Sequence, residues 1–158
     1  MRKQKGFSLI ELLIVVAIIL IIASIAIPNL LRARMSANEA SAVGAVRTLN
    51  TAQISYNSAY PTVGYAATLG ALGGTSCNPP SATGACLIDT QLASGTKNGY
   101  SFALSGVIGT PGATYQVIAA PTAPNQTGTR FFCSFADAVV RSATSTITTC
   151  DPAVTPLQ

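Results

Sequence analysis

The side chains that could carry out acid–base, nucleophilic or metal chemistry are few in this sequence and lie far apart. The carboxylates are Glu11, Glu39, Asp89, Asp137 and Asp151, and the chain has no histidine. General acid–base catalysis and metal binding need several such groups at one place, and this spacing brings none together. The sequence also has no glycine-rich phosphate-binding loop. We therefore expect no enzyme, no small-molecule substrate, no cofactor and no metal site.

The four cysteines form the second candidate group. Cys77 and Cys86 are nine positions apart, and Cys133 and Cys150 are seventeen apart. A four-cysteine zinc site usually has close pairs about two to four residues apart, so disulfides in an oxidising compartment are the better interpretation. Three pairings are possible. We favour the adjacent one, Cys77 with Cys86 and Cys133 with Cys150, and free buried thiols remain an alternative.

Glu11 is the carboxylate with the most unusual surroundings. It interrupts an apolar run of 21 residues from Phe7 to Ile27. At about 1.5 Å per residue, a helix of that length spans about 30 Å, which is the hydrocarbon thickness of a bilayer. A charged side chain at the bilayer centre costs about 2.5 to 3.5 kcal/mol and is normally retained only where a partner compensates. The alternative is a glutamate that reaches out to the membrane interface.

The same N-terminus could be an ordinary secretory signal. Basic residues precede the apolar run, and Ser24-Ile25-Ala26 offers small side chains for cleavage. However, the run is longer than the roughly 7 to 15 residues of a signal core. Pro28 follows the candidate site at once, and Glu11 serves no purpose in a signal peptide. A membrane anchor that is retained explains these features better.

A second helical stretch follows the apolar run. Apolar residues recur at helical spacing after Pro28, at Met35, Ala42, Val46, Leu49, Tyr56 and Tyr60. We therefore predict one long helix that is kinked near Pro28 and runs to Pro61. Two separate helices with a break at Pro28 are the alternative.

The remaining chain predicts a loop and then a sheet. Residues 61–98 are rich in glycine and proline, and we expect a connector there that lies outside the core. Alternating strand-like runs begin at Tyr100, Tyr115, Arg130 and Ala138, with turn-rich segments between them. The predicted fold is α+β, with an antiparallel sheet of about four strands. A sheet of so few strands needs a cover, and the amphipathic helix at 29–60 supplies it.

Nothing in the charge pattern indicates a nucleic-acid partner. The formal net charge is +4, but Arg2, Lys3 and Lys5 fall within the first six residues, which we expect to be removed. The rest of the chain has six basic and five acidic side chains and is almost neutral. Arg130-Phe131-Phe132 could stack on bases. In a strand, however, Arg130 and Phe132 face away from Phe131, so we expect a core strand with one solvent-facing edge.

The residues KGFSLIELLIVVAIILIIASIAIPNLL, from Lys5 to Leu31, closely resemble the N-terminus of type IV pilins and pseudopilins. The shared features are a short basic leader that ends in Gly6, then Phe7, then Glu11 in an otherwise apolar helix. The resemblance is strong over residues 1 to about 60 and only architectural beyond. It implies that a prepilin peptidase cuts between Gly6 and Phe7, that the new amino group is N-methylated, and that Glu11 meets the Phe7 amine of a neighbouring subunit.

The resemblance also implies an organisation and a location. The expected segments are a cleaved leader (1–6), a transmembrane and filament-core helix (7–28), an amphipathic helix (29–60) and a globular head with disulfide-closed loops (61–158). The expected partners are other copies of the chain in a helical homopolymer, the prepilin peptidase and a pilus assembly platform. The precursor would reside in the inner membrane with its C-terminus in the periplasm, and the assembled pilus at the cell surface.

The resemblance is compatible with two kinds of filament subunit, type IV pilins and pseudopilins. Similar pseudopilins tend to close the C-terminal region with calcium and clustered carboxylates. Here Asp137 is the only acidic residue between Cys133 and Cys150. This favours a type IV pilin, used for motility, adhesion or DNA uptake, over a type II secretion pseudopilin, and a minor pilin is a further alternative. Small side chains would permit close approach of neighbouring helices, at Ala23, Ser24, Ala26, Ala37 and Ala45.

Overall fold

The computed structural model of the chain describes residues 7–74 and 77–157. The expected leader, including Gly6, lies outside the described residues. The chain divides into two compact units, Met1–Arg34 and Met35–Gln158, here called the N-terminal and C-terminal units. The predicted α+β layout is confirmed: a long apolar helix is followed by an antiparallel sheet.

Helix α1 covers Leu9–Ala59 and is one uninterrupted α-helix with Pro28 inside it. The alternative of two helices separated at Pro28 is therefore wrong, while a kink at this residue stays a prediction. The helix ends just before the predicted end at Pro61. Proline disfavours the helical conformation in the residue before it and has no N–H to donate, which explains why α1 stops here.

The C-terminal sheet is a meander of five strands in the order β1-β2-β3-β4-β5, all antiparallel. The strands are β1 Thr96–Lys97, β2 Tyr100–Ser105, β3 Gln116–Pro121, β4 Phe131–Phe135 and β5 Arg141–Ala143. The additional strand, β1, has two residues, too few for an alternating pattern to reveal.

The last strand begins later than the sequence predicts. Residues from Ala138 were expected to belong to it, but β5 starts at Arg141. Ala138 has a φ of 59°, in the left-handed region that an extended strand does not use. Asp137 fixes this turn, since its carboxylate accepts a hydrogen bond from Val139 N at 3.0 Å.

One face of the sheet packs against the inner side of α1. Val46 and Leu49 of the helix belong to one buried cluster with Val117 and Phe132 of the sheet, and all four are fully buried. Burying a large aliphatic or aromatic side chain contributes about 1.5 to 3 kcal/mol. The amphipathic part of α1 is thus the cover that the small sheet needs.

The opposite face of the sheet is also covered. Phe131 and Cys133 of β4 are buried in a second cluster with Ile147 and Cys150, which lie in the segment after β5. The expectation that this strand has a solvent-facing edge is therefore wrong. The disulfide between Cys133 and Cys150 holds the covering segment against the sheet.

The expected connector at 61–98 contributes to the core, which corrects the prediction of a loop outside it. It contains two short helices, α2 Leu69–Leu72 and α3 Thr90–Ala93. Leu69, Leu72 and Leu92 are buried in the cluster that α1 forms with the sheet. The glycine and proline content of the segment obscured these leucines, although Leu69 and Leu72 have helical spacing.

Candidate functional site

The N-terminal unit presents a continuous apolar surface. Almost every side chain from Phe7 to Arg34 is exposed, and Ile10, Leu20 and Leu30 keep 68%, 63% and 69% of their surface accessible. Within the described residues, α1 is the helix that is long and apolar enough to cross a membrane. Exposed apolar surface of this extent marks a membrane or protein contact.

Glu11 lies in the first turn of α1. Ser8 N donates to Glu11 Oε2 at 3.5 Å, and Leu12 N donates to Ser8 O at 3.2 Å. A serine followed three positions later by a glutamate that reaches back to the serine N–H is half of a capping box. This role was not predicted, although the Ser-x-x-Glu spacing signals it. At 3.5 Å the contact is weak, so the carboxylate remains able to bind a stronger donor.

Phe7 precedes the helix and is exposed, with 77% of its surface accessible. If the chain were cut before Phe7, its new amino group would lie one helical turn from Glu11. Such an amine has a typical pKa of about 7.7 to 8 and is mostly cationic at neutral pH. Glu11 and a Phe7 amine are therefore complementary charges, within one chain or between two chains.

Pro28, Arg32 and Arg34 lie near the end of the N-terminal unit. The two arginines are exposed, and arginine is commonly found where a transmembrane helix meets the headgroups. Among the small residues expected at helix contacts, Ala45 is buried in the core of the C-terminal unit. It therefore cannot contact another subunit's helix, whereas Ala26 and Ala37 are exposed.

Glu39 is a structural residue that the sequence analysis did not identify. Its buried carboxylate accepts four hydrogen bonds: Thr129 N at 2.8 Å, Thr129 Oγ1 at 2.9 Å, Arg130 N at 3.2 Å and Arg130 Nε at 2.8 Å. Burial raises the pKa of Glu39, but the hydrogen bonds from Thr129 and Arg130 outweigh this effect and hold the pKa below its ordinary value of 4.5.

Two further polar residues on the inner side of α1 were also missed. Asn50 donates to Ser134 Oγ at 2.9 Å and accepts from the Tyr115 hydroxyl at 3.2 Å, and burial raises the pKa of Tyr115 to about 12. Gln53 accepts from Ala66 N at 2.8 Å and donates to Ala66 O at 2.9 Å. The available signal was a polar side chain at helical spacing between apolar ones, which indicates a buried polar network.

The cysteines are paired as Cys77–Cys86 and Cys133–Cys150, which is the adjacent pairing that we favoured. Inside the loop that Cys133 and Cys150 close, Asp137 is bound by Arg141, with Arg141 Nη2 2.6 Å from Asp137 Oδ2 and Nη1 3.1 Å from Oδ1. No group of three or more metal-ligating side chains occurs in residues 7–74 and 77–157.

Comparison with known proteins finds one matching family model. The model describes the prokaryotic N-terminal methylation motif, and it matches residues 1–27. The chain therefore carries this motif at the position where Gly6, Phe7 and Glu11 lie. No solved structure matches the chain.

Curated relatives are similar over part of the chain. The "Type IV wide pilus major component PilA4" of Thermus thermophilus is 67% identical over 39 residues, 25% of this chain and 30% of the relative. The "Type IV major pilin protein PilA" of Myxococcus xanthus is 46% identical over 54 residues, 34% and 24% of the two chains. The "Type II secretion system core protein G" of Vibrio cholerae is 45% identical over 65 residues, 39% and 44%. The chain thus spans less than half the length of each of these relatives.

Proposed function

We propose that this chain is a structural subunit of a type IV pilus. In this proposal the precursor is held in the inner membrane by the apolar part of α1, with its C-terminus in the periplasm. A prepilin peptidase cuts it between Gly6 and Phe7, and Phe7 is N-methylated. An assembly platform then transfers the subunit into a filament of identical subunits at the cell surface.

The observation that carries the proposal is the apolar surface of the N-terminal unit with Glu11 near its start. A surface made of isoleucine, leucine and valine needs either lipid or other copies of itself. The methylation motif at residues 1–27 supports a helix that contacts lipid first, in the membrane, and copies of itself afterwards, in a filament.

Glu11 gives the proposed assembly its register. In a filament the apolar helices would pack together away from water, and a lone carboxylate or amine there would be unfavourable. A subunit docked with its Phe7 amine beside a neighbour's Glu11 leaves neither charge unpaired. A misregistered subunit leaves both unpaired. The pair therefore selects the correct axial position more than it adds net stability.

The proposed polymer is an open head-to-tail assembly. Identical subunits that contact each other through two different surfaces form a helical filament when the rotation between them does not close a ring. In this proposal the exposed part of α1 packs against the same part of neighbouring subunits. Because the filament performs no chemistry on a substrate, we propose no enzymatic activity and no cofactor.

A type II secretion pseudopilin is the second candidate, because core protein G of that system is among the similar proteins. Asp137 favours the pilus. Its two carboxylate oxygens are occupied by Arg141, and the loop around it is closed by the Cys133–Cys150 disulfide. The C-terminal loop thus already has a covalent and an ionic closure made from its own residues.

Electron microscopy of filaments sheared from the cell surface, with mass spectrometry of their subunits, tests the proposal. We expect filaments whose main component is this chain beginning at Phe7, and loss of these filaments when the gene is deleted. Surface filaments that lack the chain, together with a defect in protein secretion on deletion, would support the pseudopilin instead.

A further inference from the structure

Two charged side chains of the C-terminal unit have no ion-pair partner within the described residues. Three pairs are closed inside the unit: Asp89–Lys97, Glu39–Arg130 and Asp137–Arg141. The remaining charged side chains of this unit are Arg47 and Asp151, and both are exposed. One is positive and the other negative.

Arg47 lies beside a cluster of exposed aliphatic side chains. It lines a shallow groove with polar neighbours on α1, with Ile54 of α1, with Val139 from the turn before β5 and with Leu157 near the C-terminus. Ile54 and Val139 keep 53% and 41% of their surface exposed. An arginine among exposed aliphatic side chains is a common centre of protein–protein interfaces, because apolar neighbours exclude water from its contacts.

Asp151 adjoins a second apolar surface. It follows Cys150, which lines a groove with Ile108, and Ile108 is 70% exposed. One carboxylate oxygen of Asp151 accepts from Ala153 N at 2.9 Å, which holds the side chain in a turn. Its other oxygen has no hydrogen-bond partner in the described part of the chain.

The sheet separates the two charges. Arg47 is an exposed residue of α1, and α1 covers the sheet face that contains Phe132. Cys150, next to Asp151, belongs to the cluster on the opposite face with Cys133. The C-terminal unit therefore carries the unpaired basic residue on the α1 side of the sheet and the unpaired acidic residue next to the cluster on the other side.

We propose that Arg47 of one subunit binds Asp151 of a second copy of this chain, with Ile54 and Val139 packing against Ile108. The inference rests on the proposed function, since it describes a contact between neighbours in the filament. A second copy of the chain supplies an acidic partner for Arg47 and a basic partner for Asp151. Head-to-tail assembly requires two different contact surfaces on each subunit, and these two residues lie on different sides of the sheet. Like charges brought together at this contact would be strongly unfavourable.

Charge-reversal variants of the full chain test the contact in cells that assemble it. We expect Arg47→Glu alone and Asp151→Arg alone to reduce sheared filaments at least about tenfold, since each places like charges together. The double variant should recover most of the wild-type yield. Co-expression of the two single variants should also restore filaments, because each then offers the charge that the other needs. Arg47→Gln and Asp151→Asn should cause smaller losses, and the asparagine can still accept from Ala153 N.

The alternative partner for Asp151 is a basic residue of the N-terminal unit. Arg32→Glu and Arg34→Glu, each combined with Asp151→Arg, are the matched controls, and restored filaments from either would overturn the assignment to Arg47. Normal filaments from both single reversals, or a double variant no better than the weaker single one, would also overturn it.

The filament yield of wild-type cells and the amount of each variant in the membrane fraction distinguish the remaining outcomes. Absence of filaments from wild-type cells would remove the proposed function together with this inference. A reversal variant that disappears from the membrane before assembly would show that the residue stabilises its own subunit, and would overturn the intersubunit role.

Discussion

Glu39 and Arg130, which are 91 positions apart, form an ion pair with 2.8 Å between Arg130 Nε and Glu39 Oε2. Glu39 lies on α1, and Arg130 immediately precedes β4. The same carboxylate also accepts from the backbone N–H groups of Thr129 and Arg130. The pair therefore fixes where the chain enters the central part of the sheet relative to the helix that covers it.

Replacement of Glu39 tests this role. Glu39→Ala leaves two backbone N–H groups and the Arg130 guanidinium without their acceptor, so we expect a loss of about 2 to 4 kcal/mol in the free energy of unfolding. Glu39→Gln retains one acceptor oxygen and should lose less. Urea unfolding of the full chain in detergent micelles, followed by near-ultraviolet circular dichroism, measures both. An alanine variant as stable as wild type would contradict the role.

The pH dependence of stability follows from the same carboxylate. Its pKa in the folded chain lies below the ordinary value of 4.5, so the folded state binds the proton less readily than the unfolded state. The stabilisation is present above pH 4.5 and is lost as the pH falls through the lower folded pKa. We expect wild type to lose more stability in acid than Glu39→Gln, measured by urea unfolding at pH 7 and in steps below 4.5. Equal losses would show that Glu39 does not contribute.

The sequence predicted the elements whose side chains repeat regularly. The spacing of Val46, Leu49 and Tyr56 indicated the buried side of α1, and the alternation from Tyr100 indicated β2. Glu39 could not be assigned in this way, because its partners lie 90 and 91 positions away. Long-range contacts of this kind depend on how the chain folds back, and local periodicity contains no information about that.

The N-terminal site was predicted from a local pattern. Gly6, Phe7 and Glu11 are close in sequence, so a local motif is enough to identify them. In contrast, the cover over the second face of the sheet is a segment that the disulfide between Cys133 and Cys150 closes, and Ile147 of that segment is a core residue. Both cysteines are visible in the sequence, but the packing of the loop between them on the sheet is not.

The two disulfides should differ in their effect on stability. Replacing Cys133 and Cys150 with serine opens a loop of sequence separation 17, a loss of about 3 kcal/mol on the chain-entropy model. It also uncovers Phe131. Replacing Cys77 and Cys86 opens a separation of 9 and should cost about 2.5 kcal/mol on the same model, without exposing a face of the sheet.

Peptide mapping without reduction identifies the pairs directly, and urea unfolding ranks the two double variants. A linked fragment containing Cys86 and Cys133 would contradict the adjacent pairing. A Cys77/Cys86 variant less stable than the Cys133/Cys150 variant would contradict the proposed role of the second pair.

Processing of the precursor is expected before Phe7. Gly6 is the only small residue between the basic leader and the apolar run, so the mature chain should begin at N-methylated Phe7. Mass spectrometry of the mature N-terminal peptide checks both the cut and the methyl group. Gly6→Glu should accumulate the uncut precursor, with Gly6→Ala as the milder control. A mature chain that begins at Ile27 would identify an ordinary secretory signal instead.

Glu11 is the residue on which the proposed assembly mechanism depends. Glu11→Ala should leave membrane insertion intact or improved, since it removes a carboxylate from an apolar helix. Cleavage before Phe7 should continue. Assembly should fail, because an incoming Phe7 amine would enter the apolar interior unpaired, a loss on the order of 3 to 5 kcal/mol. Immunoblots of membrane and sheared fractions should therefore show processed subunit in the membrane and few filaments outside.

Glu11→Gln separates the charge from the capping contact. The glutamine oxygen can still accept from Ser8 N, as Glu11 does at 3.5 Å, but the side chain has no charge to pair with an amine. If the charge matters, the glutamine variant should resemble the alanine variant and not wild type. Normal filaments from glutamine but few from alanine would show that Glu11 acts by capping α1. Normal filaments from both would remove the pairing mechanism, and the proposed pilus subunit would then rest on the methylation motif and the exposed apolar helix.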